Sequence, residues 1–133
     1  MAVLPLPLAL IVCDHVWRDP STAKITILGA FSAIEAADFP AEHSEIAVYL
    51  ALTGAHGKLP ILIQLIDSTE ALPEPIATAE LQLDFSDPIA IIETSVVLLD
   101  VYFPFPGEYR LQLLDRGNLV IERRITVSHP ARE

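Results

Sequence analysis

Along most of this chain apolar and polar side chains alternate one for one. "IATAELQLDF" (76–85) sets Ala77, Ala79, Leu81, Leu83 and Phe85 against Thr78, Glu80, Gln82 and Asp84. "EYRLQLLD" (108–115) sets Tyr109, Leu111 and Leu113 against Glu108, Arg110 and Gln112. "LVIERRITV" (119–127) aligns Leu119, Ile121, Ile125 and Val127, with Arg123 as the misfit on that face. A period of two marks a half-buried strand, whose side chains point to opposite faces in turn. β-Branched residues crowd "KITIL" and "SVVLLDVYF" and suit a pleated surface. Turn signals separate the runs: Asp-Pro in "RDPSTAK", two glycines in "TGAHGK", the rigid-then-permissive "PFPG", and Gly117-Asn118 in "DRGN", a two-residue hairpin signature. The pattern predicts about eight strands, at 8–17, 24–35, 45–53, 59–67, 76–85, 90–102, 108–115 and 119–128. Regularly spaced strands without intervening helices predict an all-β fold, a two-sheet antiparallel β-sandwich filling residues 1–133 as one domain. "EAADFPAEHSE" has room for one helical turn, and Pro40 forbids more.

The C-terminal third is the most legible. "VYFPFPGEYRLQLLDRGNLVIERRITV" reads as strand, corner, strand, tight turn, strand. Tyr109, just after the corner, resembles the tyrosine corner of immunoglobulin-like sandwiches, in which the phenol bonds back to upstream backbone. A second resemblance is at family level. "CDHVWRDPSTAKITILGAFSAI", followed by "DFP" and "VYLALTG", is similar to a group of small bacterial proteins known only as a domain of unknown function. Members of that group open with a strand ending in Cys-Asp, a turn, then a strand ending in Ile-Leu-Gly. The resemblance spans residues 8–53 and, more loosely, "FPFPGEYRLQLL". It implies a single β domain and supplies no catalytic or binding residues.

Composition narrows the picture. At 133 residues, 52% of them apolar, the chain is long enough to bury a core without disulfides or metals. Cys13 is the single cysteine, so no intramolecular disulfide forms, which favours a reducing cytoplasm. "MAVLPLPLALIVC" carries no Lys or Arg before Arg18 and is interrupted by Pro5 and Pro7, which argues against an export signal. No apolar run reaches the roughly 20 residues that span a bilayer, so no membrane partner is expected. Net charge is −10, concentrated in residues 25–107, where twelve acids face Lys58 alone. That balance repels phosphate backbones and argues against nucleic acid as a partner.

"CDHVWRD" (13–19) is the densest chemistry in the chain. On a strand Cys13, His15 and Trp17 share one face, with Cys13 and His15 roughly 7 Å apart at Cα given about 3.3 Å rise per residue. No glycine-rich oxyanion turn or helix N-terminus completes a nucleophilic site there, and free cysteines are commonly buried. Catalytic residues are therefore expected to be absent. Structural zinc needs four close Cys/His ligands. Cys13, His15, His43, His56 and His129 are too scattered for that, and no metal or other cofactor is expected. Asp14 interrupts an otherwise apolar face, as Arg123 does on its own strand. A buried charge needs a partner, so these two either meet or each reaches backbone or water. Trp17, Tyr49 and Tyr102 are read as core or rim rather than as a sugar platform.

These readings point to a non-catalytic interaction or structural module. The alternative is a small-molecule or glycan binder using "TGAHGK" and "STEALPEP", and a Cys13/His15/Asp14 enzyme comes third. Self-association as a dimer is expected, beside a further protein partner. "LALIV" (8–12), "ILIQLI" (61–66) and "VVLLDVYF" (96–103) are apolar on both faces, more than a lone sandwich covers.

Overall fold

Alternating side chains let most of the paired strands present one face to a common core. A computed structural model describes residues 4–130, with nine strands among them: β1 Leu6–Arg18, β2 Ile25–Ala30, β3 Ala33–Glu35, β4 Ala41–Thr53, β5 Gly57–Asp67, β6 Ala77–Phe85, β7 Ile92–Phe103, β8 Gly107–Asp115 and β9 Asn118–Ser128. They form a four-stranded sheet, β2-β1-β4-β7, and a five-stranded sheet, β3-β9-β8-β5-β6. The described residues contain no helix, and bends fill the stretch before β4 in which the sequence allowed one turn.

The expected run 24–35 divides into β2 and β3. The Phe31 amide still donates to the Val12 carbonyl of the first sheet (3.0 Å), while the Ser32 carbonyl accepts from the Thr126 amide of the second (3.0 Å). The chain changes sheets at that step, and β3 lies parallel to β9. The five-stranded sheet is therefore mixed rather than wholly antiparallel, as a strand arriving from the other sheet need not be a hairpin partner. Elsewhere the pairing of β4 with β7, and of β5, β8 and β9 in the other sheet, repeats the B–E and C–F–G arrangement of immunoglobulin-like sandwiches.

The core lies between the sheets. Ile46, Val48, Leu50 and Leu52 of β4 face Ile61, Ile63 and Leu65 of β5 and Leu111 and Leu113 of β8, all buried in one cluster. Burying each such side chain stabilises the fold by about 1.5–3 kcal/mol. Tyr109 closes one end, with its ring edge-on to Phe103 at 4.9 Å. Its hydroxyl donates to the Phe105 carbonyl at 2.5 Å, so the corner bonds to its own upstream backbone.

The tight turn differs from the sequence reading by one residue. Asp115 pairs with Asn118, so the loop is Arg116-Gly117, with φ of 50° and 82°. A two-residue turn of this kind needs positive φ at both positions. Gly117 adopts it freely. Arg116 is held there by two bonds to the buried Asp115 carboxylate, at 2.8 and 2.6 Å.

β1 does not stay with its sheet. Its pairing with β4 ends at Cys13, and residues 15–18 pair with β2 alone. At the tip, Arg18 Nη2 donates 2.9 Å to the carbonyl of Glu93, on β7. The β1–β2 arm therefore folds back across the outer face of the four-stranded sheet. Cys13, Ala47, Tyr49 and Ala51 are buried there although they stand outside the central core. Half-buried Val16, Ile25 and Ile27 are the apolar residues the arm has to cover them with. Gly29 sits at the bend with φ +69°, and a Cβ on it would lie 2.3 Å from Asp14 Oδ2. Gly29→Ala is expected to cost about 1–2 kcal/mol, the ordinary penalty of a left-handed L-residue, and to speed amide exchange in residues 15–28. Unchanged exchange and melting temperature would show that the arm does not depend on this bend.

Candidate functional site

The N-terminal cluster, the densest chemistry in the chain, turns its cysteine inside and leaves Asp14, His15, Trp17 and Arg18 exposed. Cys13 is fully buried, and its thiol lies 3.6 Å from both the His15 and the Ala47 carbonyls. Burial pushes the thiol pKa up, which disfavours the thiolate a nucleophile requires. His15 is exposed and is not a hydrogen-bond partner of the sulfur through its ring. Of His15, it is the backbone carbonyl that the sulfur meets.

Asp14 and Arg123 do not pair. Both are exposed, and neither takes part in the ion pairs found among the described residues. Arg123 sits opposite core-facing Leu111, but β3 covers β9 only from Thr126 onward, leaving the Arg123 position open to water. Asp14 lies over Gly29 at the bend of the arm. The two residues stand on different sheets, each exposed to water.

The aromatic residues do not assemble either. Tyr49 is buried beneath the arm, while Trp17 and Tyr102 are half exposed. The Tyr49 hydroxyl donates to Glu93 Oε2 at 2.5 Å, and burial with that neighbouring carboxylate pushes its pKa up to about 12. Glu93 thus anchors both Tyr49 and the arm. Nothing in the sequence marks it, because Arg18 and Tyr49 lie 75 and 44 residues away. No group of three His, Cys, Asp or Glu side chains among the described residues is arranged to hold a metal.

Two clefts on the five-stranded sheet have apolar side chains in their lining. One, of about 550 Å³, has Leu62 and Leu114 in its lining beside Glu80, Gln82 and Arg116. The other, of about 330 Å³, lies between Gln64, Ile66 and the "STEALPEP" loop. That loop is ordered by Asp67, which accepts from the Thr69 hydroxyl at 2.6 Å and the Ala71 amide at 3.1 Å. The Thr69 hydroxyl beside it holds the Asp67 carboxyl below its ordinary pKa. The "TGAHGK" turn lines neither cleft.

The largest departure from an ordinary surface is apolar. Leu4, Leu6, Leu8, Ile89 and Ile91 are 41%, 58%, 48%, 87% and 59% exposed. Pairing places Leu6 and the 86–91 segment at the same end of the sheet, with Leu4 and Leu8 on either side of Leu6 in the chain. Leu6 lies opposite Thr53, whose hydroxyl donates to the Ala90 carbonyl at 2.8 Å, and the Gly54 amide donates to the Pro88 carbonyl at 3.0 Å. The start of β1 and the 86–91 segment therefore flank the end of β4. Core-packed Leu52 and Ile92 pair across β4 and β7, so their neighbours Thr53 and Ile91 point to the outer face, as does Leu6. The sequence drew attention to Leu8 through "LALIV" but not to Ile89 or Ile91, whose stretch blends into the next strand.

Residues 8–128 match the model of DUF6941, a family of unknown function. The chain belongs to that family. Membership extends the resemblance seen over residues 8–53 to nearly the whole domain and brings no residue roles with it. No curated protein matches the chain. Among solved structures, two of a glycosyl hydrolase family 2 member from Bacteroides cellulosilyticus are similar. One has 18% identity and a TM-score of 0.45, covering 65% of this chain and 12% of that one. The other, from strain DSM 14838, has 17% identity and a TM-score of 0.44, covering 65% and 13%. This chain thus spans about an eighth of those hydrolases. No helix among the described residues is long and apolar enough to cross a membrane.

Proposed function

We propose that this member of the family is a non-catalytic interaction module of the reducing cytoplasm, and that its contact surface is the apolar end formed by β1 and the 86–91 segment. The observation that carries this reading is the gathering of Leu6, Leu8, Ile89 and Ile91 at one end of the sandwich, all about half exposed or more. Contiguous apolar surface of that kind marks contact sites. The candidate nucleophile, by contrast, is buried against backbone carbonyls. A second reading, small-molecule binding, is favoured by the cleft of about 550 Å³, a size typical of ligand sites. A ligand that raises the melting temperature would support it.

Affinity capture from native lysate separates these readings from the enzyme. The double variant C13A/H15A is expected to fold, with a melting temperature a few degrees lower because a small buried group is lost, and to retain the partners of the wild type. Ile89→Glu with Ile91→Glu is expected to fold equally well and lose them. The opposite pattern would return attention to Cys13.

A further inference from the structure

We propose that the occupant of the apolar end is a second copy of this chain, docked about a two-fold axis. This deepens the interaction-module reading and rests on it.

Size is the first argument. Strands are spaced about 4.8 Å apart and rise about 3.3 Å per residue, so the patch across β1, β4 and the 86–91 segment measures roughly 15 by 20 Å. The tip of the β1–β2 arm, tied to Glu93 by Arg18, and the turn at residues 86–88 enlarge it to roughly 25 by 30 Å on the same spacings. That approaches the about 800 Å² each partner contributes to a standard stable interface. An apolar centre within a polar rim is also the ordinary anatomy of such a contact.

Charge is the second argument. Two chains of net charge −10 repel unless they meet where acids are fewest. Residues 1–24 carry two acids and two bases, whereas residues 25–107 carry twelve acids against one. The arm tip supplies Arg18 and Lys24, neither within 4 Å of a carboxylate among the described residues, against the single acid Asp19, whose carboxylate accepts from the Ser21 amide and hydroxyl at 2.9 Å. On the other side of the patch the turn supplies Asp87. In an isologous contact the same surface meets itself, so the basic tip of one protomer faces the acidic turn of its partner on both sides of the axis. A patch whose arm-tip flank is net positive by one charge and whose turn carries Asp87 suits that pairing.

The test is light scattering coupled to size exclusion at about 10 μM, where a micromolar complex is largely assembled. The wild type is expected at twice the 14.6 kDa chain mass, and Leu6→Glu with Ile91→Glu is expected at the single mass with an unchanged circular dichroism spectrum. Arg18 and Lys24 lie at the rim, so the charge-reversing Lys24→Glu is expected to weaken self-association by about tenfold at low salt and less at high salt. A wild-type monomer overturns the dimer. If lysate proteins are still captured through Ile89 and Ile91, the module reading stands without it, and if neither self nor partner binds there, both fall. A dimer that survives Leu6→Glu with Ile91→Glu overturns the assigned face.

Discussion

Replacing Tyr109 with alanine is expected to cost about 3–5 kcal/mol of folding stability, and replacing it with phenylalanine about 1–3 kcal/mol. The ring is fully buried, packed edge-on against Phe103 at 4.9 Å and stacked near Phe105 at 6.0 Å. Alanine removes that contact and leaves a cavity where β8 enters the core. Phenylalanine keeps the ring but leaves the Phe105 carbonyl without the hydroxyl it accepts from. Urea unfolding gives both values, with the midpoint moving and the slope unchanged. If Tyr109→Phe were as stable as the wild type, the corner bond would be geometric rather than energetic.

Arg116→Gln is expected to destabilise the domain, lowering the melting temperature by several degrees, because it strips a buried carboxylate of its partner. The loss stays below that of a fully buried pair: the Asp115 side chain is wholly buried, while that of Arg116 is 39% exposed and stays solvated. Removing the guanidinium leaves the carboxylate without either of its two short contacts. It also releases Arg116 from its left-handed backbone, so the hairpin is expected to lose register between β8 and β9. Asp115→Asn with Arg116→Gln is expected to recover at least half of the loss, because no buried charge remains. A double-mutant cycle measures the coupling, and additive losses would refute it.

The two substitutions sit on elements that differ in legibility. Tyr109 could be placed from the sequence because a corner, a strand start and a tyrosine are all local. Arg116 could not. "DRGN" announces a tight turn, but whether the loop is Arg116-Gly117 or Gly117-Asn118 depends on the register of two strands and on a buried carboxylate. The same division runs through the candidate sites. The burial of Cys13 followed from the general tendency of free cysteines to lie inside. Glu93, which holds both Tyr49 and the arm, had no local signature.

By itself the sequence determined the all-β architecture, most strand positions and the inward face of β6, β8 and most of β9, because side-chain alternation is a property of neighbours along the chain. It also determined the absence of a disulfide and the acidic middle of the chain. Only the tertiary structure decided that residues 24–35 serve two sheets, that the β1–β2 arm folds back over the outer face, and that Asp14 and Arg123 remain apart. It alone brought Leu6 and the 86–91 segment to the two sides of the end of β4, from opposite ends of the β1–β7 succession. Those outcomes depend on which sheet edges are covered and where the backbone bends. Both are set by contacts between residues distant in sequence, and a period of two carries no information about them.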